Sequence, residues 1–149
     1  MQVGILLNNI GNNQPAYMAI NHANTIHKFK LGHVIELYYQ QISQPVVRPM
    51  CMVNTIDKAT LVKDLVIATD LYNCKYLSTM TAKHKLCYLF DLEWLRHEID
   101  YIDTFKMLRK TNLICGSKEH QEAIKKYCGV ESKVIESFNL QRIINECIC

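Results

Sequence analysis

The chain has 149 residues, 49% hydrophobic and 21% charged, and its 17 basic and 14 acidic side chains leave a formal net charge of +3. A chain of this length folds as one domain around one core, and the composition excludes a disordered or fibrous protein. So small a charge argues against nucleic acid, because Lys75, Lys83, Lys85, Lys106, Arg109 and Lys110 are interleaved with apolar and acidic residues and read as solvated faces rather than a basic stripe.

In chain order, short apolar or β-branched runs alternate with longer segments of helical period, the pattern of parallel strands joined by crossover helices. "VGILL" (residues 3–7) reads as a buried strand, followed by the polar loop "NNIGNNQ". Pro15 then suits the first turn of a helix whose apolar positions are Ala16, Ala19, Ile20, Ala23 and Ile26, with Gly32 as its stop. "HVIELYY" (33–39) is the second strand. Pro45 and Pro49 interrupt the next stretch, in which "MCMV" (50–53) fits a short edge strand.

"DLVIAT" (64–69) is a strand, followed by a helical stretch through Thr79. "KLCYLF" (85–90) is the next, and Ile99, Ile102, Phe105 and Leu108 make a helical stripe after it. "NLICGS" (112–117) is a strand whose Ser117 caps a helix that ends at Gly129. "KVIE" (133–136) and a terminal helix from Leu140 complete the chain. The expected fold is therefore α/β: a single doubly wound, mostly parallel, Rossmann-like sheet of six or seven strands with helices on both faces, spanning 1–149 without a linker or repeat.

Seven cysteines without a C-x-x-C pair predict a reducing, cytoplasmic setting, with Cys87 and Cys115 as small core residues. The C-terminal Cys147 and Cys149 read as a frayed tail. No apolar run approaches the ~18 residues of a membrane span, and the N-terminus lacks the features of a secretory signal. The six histidines show no metal-binding spacing, so no metal ligands are expected.

Ligands of such a sheet bind beyond the carboxyl ends of its strands, near the point where strand order reverses. There the first strand would present Asn8, Asn9, Gly11 and Asn12, the fourth Asp70, the fifth Asp91 and Glu93, the sixth Ser117 and the seventh Asn139. The first loop has one glycine, neither G-x-G-x-x-G nor a Walker loop, which disfavours NAD or ATP. Its asparagines suit a hydroxyl-rich ligand, and serve equally as a turn and a helix cap. Asp91 and Glu93 admit two roles, a general base raised toward neutrality in a cleft or a structural pair at a strand end and helix start. If the chain turns into helix at Leu92, Asp91 faces the cleft as the catalytic candidate and Glu93 belongs to the helix start.

The segments "VGILLNNIG", "KDLVIATDLY", "KLCYLFDLEWL" and "NLICGSKEHQEAIKKYCGVESKVIESFNL" together resemble the N-terminal half of GT-B fold glycosyltransferases. The points of similarity are the acidic turn within Tyr88 to Glu93, the strand end Ile114 to Ser117, the helix end Tyr127 to Gly129, and Val134 to Asn139. The resemblance implies the acceptor-binding wall of an enzyme that transfers a hexosyl group from a nucleotide sugar to a hydroxyl acceptor, without a metal or other cofactor. It further implies that the donor wall comes from elsewhere, a partner glycosyltransferase subunit or a second copy in a homo-oligomer, since no second domain is present in the residues quoted. The alternative is a stand-alone, non-catalytic binding or interaction module on the same fold.

Overall fold

The computed structural model describes residues 1–93 and 100–148. Its strands are β1 (Gln2–Ile10), β2 (Val34–Ile42), β3 (Met52–Thr55), β4 (Leu65–Ala68), β5 (His84–Leu89), β6 (Asn112–Cys115) and β7 (Ser132–Val134). They form one sheet in the order β3-β2-β1-β4-β5-β6-β7, parallel at every pairing. All seven expected strands are present, and the doubly wound α/β architecture holds.

The helices are α1 (Gln14–Lys28), α2 (Leu71–Cys74), α3 (Tyr101–Arg109), α4 (Lys118–Cys128) and α5 (Leu140–Ile148), with 3-10 turns at Ile56–Leu61, Lys75–Thr79 and Glu136–Phe138. Alternation along each strand divides the core in two. Val3, Ile5, Leu7, Ile67 and Tyr88 point to a layer shared with Ala19, Ile20 and Ala23 of α1 and Ile143 of α5. Leu6, Val66, Ala68 and Cys87 point to the other, with Leu71 of α2, Leu108 of α3 and Ile124 of α4. Cys87 and Cys115 are completely buried, as small core residues should be. Among the described residues, no helix is long and apolar enough to cross a membrane.

Three local expectations change. The first strand does not stop at Leu7: β2 is equally long and offers partners through Asn9↔Gln41 and Ile10↔Ile42, so ladder bonds carry Asn8 and Asn9 into the strand despite the low strand preference of asparagine. In α3 the buried residues are Thr104 and Leu108, four apart, whereas Ile102 is 68% exposed. A stripe of period three drifts around a helix of 3.6 residues per turn, so Ile102 and Leu108 cannot share its inner face; Ile99 lies outside the described residues.

The end of α1 also differs. The stop is Lys30, at φ 51°, not Gly32. Its N–H bonds the carbonyl of His27 and the next N–H, of Leu31, reaches back to Ile26, the paired bonds of a left-handed helix stop. Gly32 has its own positive φ of 79° two residues later.

The connection from β2 to β3 contains no helix. Pro45 and Pro49 keep it extended, and Asn24 of α1 anchors it at both ends of its amide, donating to the Arg48 carbonyl at 3.0 Å and accepting from the Met50 N–H at 2.8 Å. An L-residue in the left-handed region is strained by about 1–2 kcal/mol, partly offset by the greater chain entropy of an unfolded glycine. Lys30→Gly is therefore expected to stabilise the fold by about 0.5–1 kcal/mol, read as a higher midpoint in thermal or urea unfolding.

Candidate functional site

The sheet reverses its strand order between β1 and β4, since the chain builds β2 and β3 on one side of β1 before returning to the other. The crevice beyond the carboxyl ends of these two strands is the expected ligand position. Asp70 stands there, directly after β4, as the N-cap of α2. Its Oδ1 accepts the backbone N–H of Asn73 and its Oδ2 the side-chain amide of Asn73, both at 2.7 Å. Backbone N–H groups of Tyr72 and Asn8 add further donors.

Asn73 is completely buried, and its carbonyl Oδ1 accepts from Gln40 Nε2 of β2 at 3.2 Å. Both ends of that amide are thus used, which orients it. Glu93 approaches from beyond β5, with both carboxyl oxygens 3.3 Å from the N–H of Leu71, the first residue of α2. Glu93 thus also meets the start of α2 through space. Asp91 is half-buried and accepts the N–H of Leu92 at 2.8 Å.

The two acids facing α2 differ in proton affinity for a visible reason. Burial pushes Asp70 upward while four N–H contacts pull it back. Among the described residues Glu93 has only the Leu71 N–H to oppose burial and the charges of Asp70 and Asp91, and is pushed up from 4.5 to about 7. Of the two, Glu93 is therefore the acid that burial brings nearer to neutrality. Such a pair can accept a proton near neutral pH.

The other expected site residues at the carboxyl edge are uncharged. Asn9 accepts from Ser43 at 3.4 Å, and its backbone carbonyl receives the side chain of Asn13, the cap of α1. Gly11 is closely approached: a Cβ there would lie 2.1 Å from Ser43 Oγ, a contact that rotation of the exposed serine side chain would have to relieve. Asn12 is exposed. Ser117 caps α4 through the N–H of His120 at 3.2 Å, and Asn139 accepts the N–H of Arg142 in the first turn of α5.

Ser117 also lines a cavity of about 220 Å³ with Gly116, His120, Gln14 and Met18 of α1, Tyr88 and Phe90 of β5 and its exit, and Ser137. The Nδ1 of His120 is buried without a hydrogen-bond partner among the described residues. This cavity includes none of Asn8, Asn9, Asp70, Asp91 or Glu93, so the edge carries two distinct polar groupings.

A strained turn borders the cavity. Ser137 and Phe138 both have positive φ, 54° and 50°, without being glycine. The hydroxyl of Tyr88 holds them from below: it donates to the Ile135 carbonyl at 2.6 Å and accepts the Phe138 N–H at 3.0 Å. The ring of Tyr88 packs edge-on against Phe138 with centroids 4.9 Å apart, and His22 Nε2 meets the Ser137 carbonyl at 2.9 Å.

Sequence reasoning missed Gln40, Asn73, Tyr88 and His22. Asn73 had a local signal, an amide three residues after a helix-capping acid. Gln40 became visible only when β2 ran past Tyr39, and the role of the Tyr88 hydroxyl depends on a turn 50 residues away.

Fold and site together define a doubly wound parallel α/β domain with an acid pair at its topological switch point and a small cavity beside it. Compared with protein families, curated proteins and solved structures, the chain shows no significant match to any.

Two outcomes follow. Tyr88→Phe leaves the Ile135 carbonyl and the Phe138 N–H buried without partners, and should cost about 2–4 kcal/mol in denaturant unfolding, with little change in the slope. The raised affinity of Glu93 stabilises the fold fully below about pH 4.5, and this contribution is lost as pH rises toward 7. Unfolding measured across that window should show stability falling with pH more steeply in the native chain than in Glu93→Gln.

Proposed function

We propose that this domain binds a hydroxyl-bearing acceptor at the carboxyl edge of its sheet and forms the acceptor wall of a GT-B-type glycosyltransferase, completed by a facing donor-binding domain. The observation that carries the reading is Glu93, held beside Asp70 at the switch point with a proton affinity near neutrality. In this reading Glu93 takes the proton of the acceptor hydroxyl as its oxygen bonds the anomeric carbon. The bond from that carbon to the nucleotide phosphate breaks, and the nucleoside diphosphate leaves with the bonding pair. Asp70 and Asp91 keep Glu93 basic through their charge.

The 220 Å³ cavity supports the acceptor half of the proposal. It offers the Ser117 hydroxyl and the unpartnered His120 nitrogen to a ligand hydroxyl, and an apolar wall from Met18 and Phe90. Its volume falls below the roughly 300–1,000 Å³ of closed ligand sites, as expected for a single wall of a site split across a cleft.

A second reading, a binding module without transfer chemistry, is favoured by the contact of both Glu93 oxygens with Leu71, which gives this carboxyl a structural use. Titrating the full ¹⁵N-labelled chain with a panel of mono- and disaccharides separates the readings. Shifts at Asn8–Asn13, Leu71–Asn73 and Ser117–His120, with an affinity in the native chain that changes around pH 7 and becomes flat in Glu93→Gln, are expected for the acceptor wall. Binding whose pH dependence is identical in both chains would leave only the non-catalytic module. Shifts confined to the opposite edge, or none with any saccharide, would overturn both.

A further inference from the structure

The amino edge of the sheet carries a second cavity, of about 780 Å³, within the volume range of sites that enclose a small ligand. It opens where β5 and β6 begin, at His84 and Asn112, between the 3-10 turn after α2 and the end of α3. This is the edge opposite Asp70 and Glu93, which follow the carboxyl ends of β4 and β5.

Among the described residues, four lysines line it, Lys75, Lys83, Lys85 and Lys110, against one carboxylate, that of Asp103. Taken as separate positions in the sequence they look like dispersed solvated charges. The fold collects them from three segments around one concavity, and their excess of three positive charges equals the formal charge of the whole chain. The remainder of the molecule is therefore balanced, and its positive field is concentrated here.

The lysines are also unneutralised. Among the described residues the ion pairs are Lys125–Glu131, Lys133–Glu146 and Arg142–Glu146, all elsewhere, and no carboxylate lies within ion-pair distance of the four. Like charges around a concave surface repel one another, and an anion entering it relieves that repulsion. The lining is not uniformly charged: Leu77 and Met107 supply an apolar wall, and Thr111 and Asn112 add neutral hydrogen-bonding groups.

We infer that this amino-edge cavity is a binding site for a small organic phosphate, its phosphate held among the four lysines and its organic body against Leu77 and Met107. Lysine serves phosphate as a compact point charge, needing no fixed fork geometry, and the described lining offers lysines in place of the fork that bidentate carboxylate recognition uses. The cavity volume admits a ring-bearing body as well as the anion. This assignment is independent of the acceptor-wall reading, because no residue is shared between the two sites.

Calorimetric titration of the full chain with AMP, inorganic pyrophosphate and citrate, accompanied by ¹⁵N NMR mapping, tests it. AMP should bind with a Kd below about 1 mM, shift the amides of Lys83–Lys85 and Lys110–Asn112, and weaken with added salt as screened charges require. Lys83→Gln combined with Lys110→Gln, both exposed and, among the described residues, bonded through their backbone N–H groups alone, should weaken AMP at least tenfold. Lys118→Gln combined with Lys126→Gln, on α4, should leave it unchanged.

The proposal is overturned if AMP fails to bind up to about 5 mM, or if its shifts fall on the carboxyl edge. Pyrophosphate binding as tightly as AMP would remove the organic body from the assignment, and citrate binding as tightly would remove the phosphate. A single-stranded oligonucleotide that binds at these residues far more tightly than AMP would replace the small ligand with nucleic acid. A failure here leaves the saccharide titration untouched, since that experiment reads the opposite edge.

Discussion

Everything in this fold depends on β1. It is the third strand of seven, paired in parallel to β2 on one side and β4 on the other, and its side chains from Val3 to Leu7 are excluded from solvent apart from Gly4, which has none. A parallel strand buried on both faces requires cover above and below, and each parallel neighbour requires a crossover. Those two requirements place α1 and α5 over one face and α2, α3 and α4 over the other. They also force the chain to complete β2 and β3 before returning beyond β1 to lay down β4. That return opens the crevice beside Asp70.

The approach to β1 is close enough to dictate a residue. A Cβ at Gly4 would meet Val62 at 2.9 Å and the ring of Tyr38 at 3.1 Å, so the central strand carries a glycine despite its low strand preference. The same geometry aligns β2 with β1 for its entire length and brings Gln40 to the carboxyl edge. From there a polar chain runs through the buried amide of Asn73 to the carboxylate of Asp70, and Glu93 closes on α2 from the other side. The contrast between the two acids follows from counting donors. Asp70 is solvated by several protein N–H groups in place of water, whereas Glu93 receives that of Leu71, so burial raises Glu93 further. The two ends of the sheet also differ locally: Asp70, Asp91 and Glu93 lie together at the carboxyl edge, and four lysines surround the cavity at the amino edge.

The elements were legible where their signals are local. Apolar and β-branched runs announced the strands, six or seven by their count, and Ser117 and Gly129 marked the limits of α4, because an N-cap hydroxyl and a left-handed glycine act within one turn. Signals that depend on a partner misled. Asn8 and Asn9 read as loop until β2 supplied a ladder, and Gly32 read as the stop of α1 although the chain adopts the left-handed conformation at Lys30. The division of labour between Asp91 and Glu93 could not be read from alternation, since Glu93 is defined by contacts with Leu71 and Asp70 some twenty residues earlier.

By itself the sequence determined the class of architecture and the succession of strands and helices along the chain, because periodicity and capping are properties of neighbouring positions. Only the tertiary structure decided which of those residues act together. It joined Gln40, Asn73, Asp70 and Glu93 from three strands' exits, set Tyr88 beneath a strained turn, and drew four scattered lysines around one cavity. The physical reason is that proton affinity, hydrogen-bond satisfaction and field strength depend on distance through space, and a parallel sheet brings together residues that the chain keeps far apart.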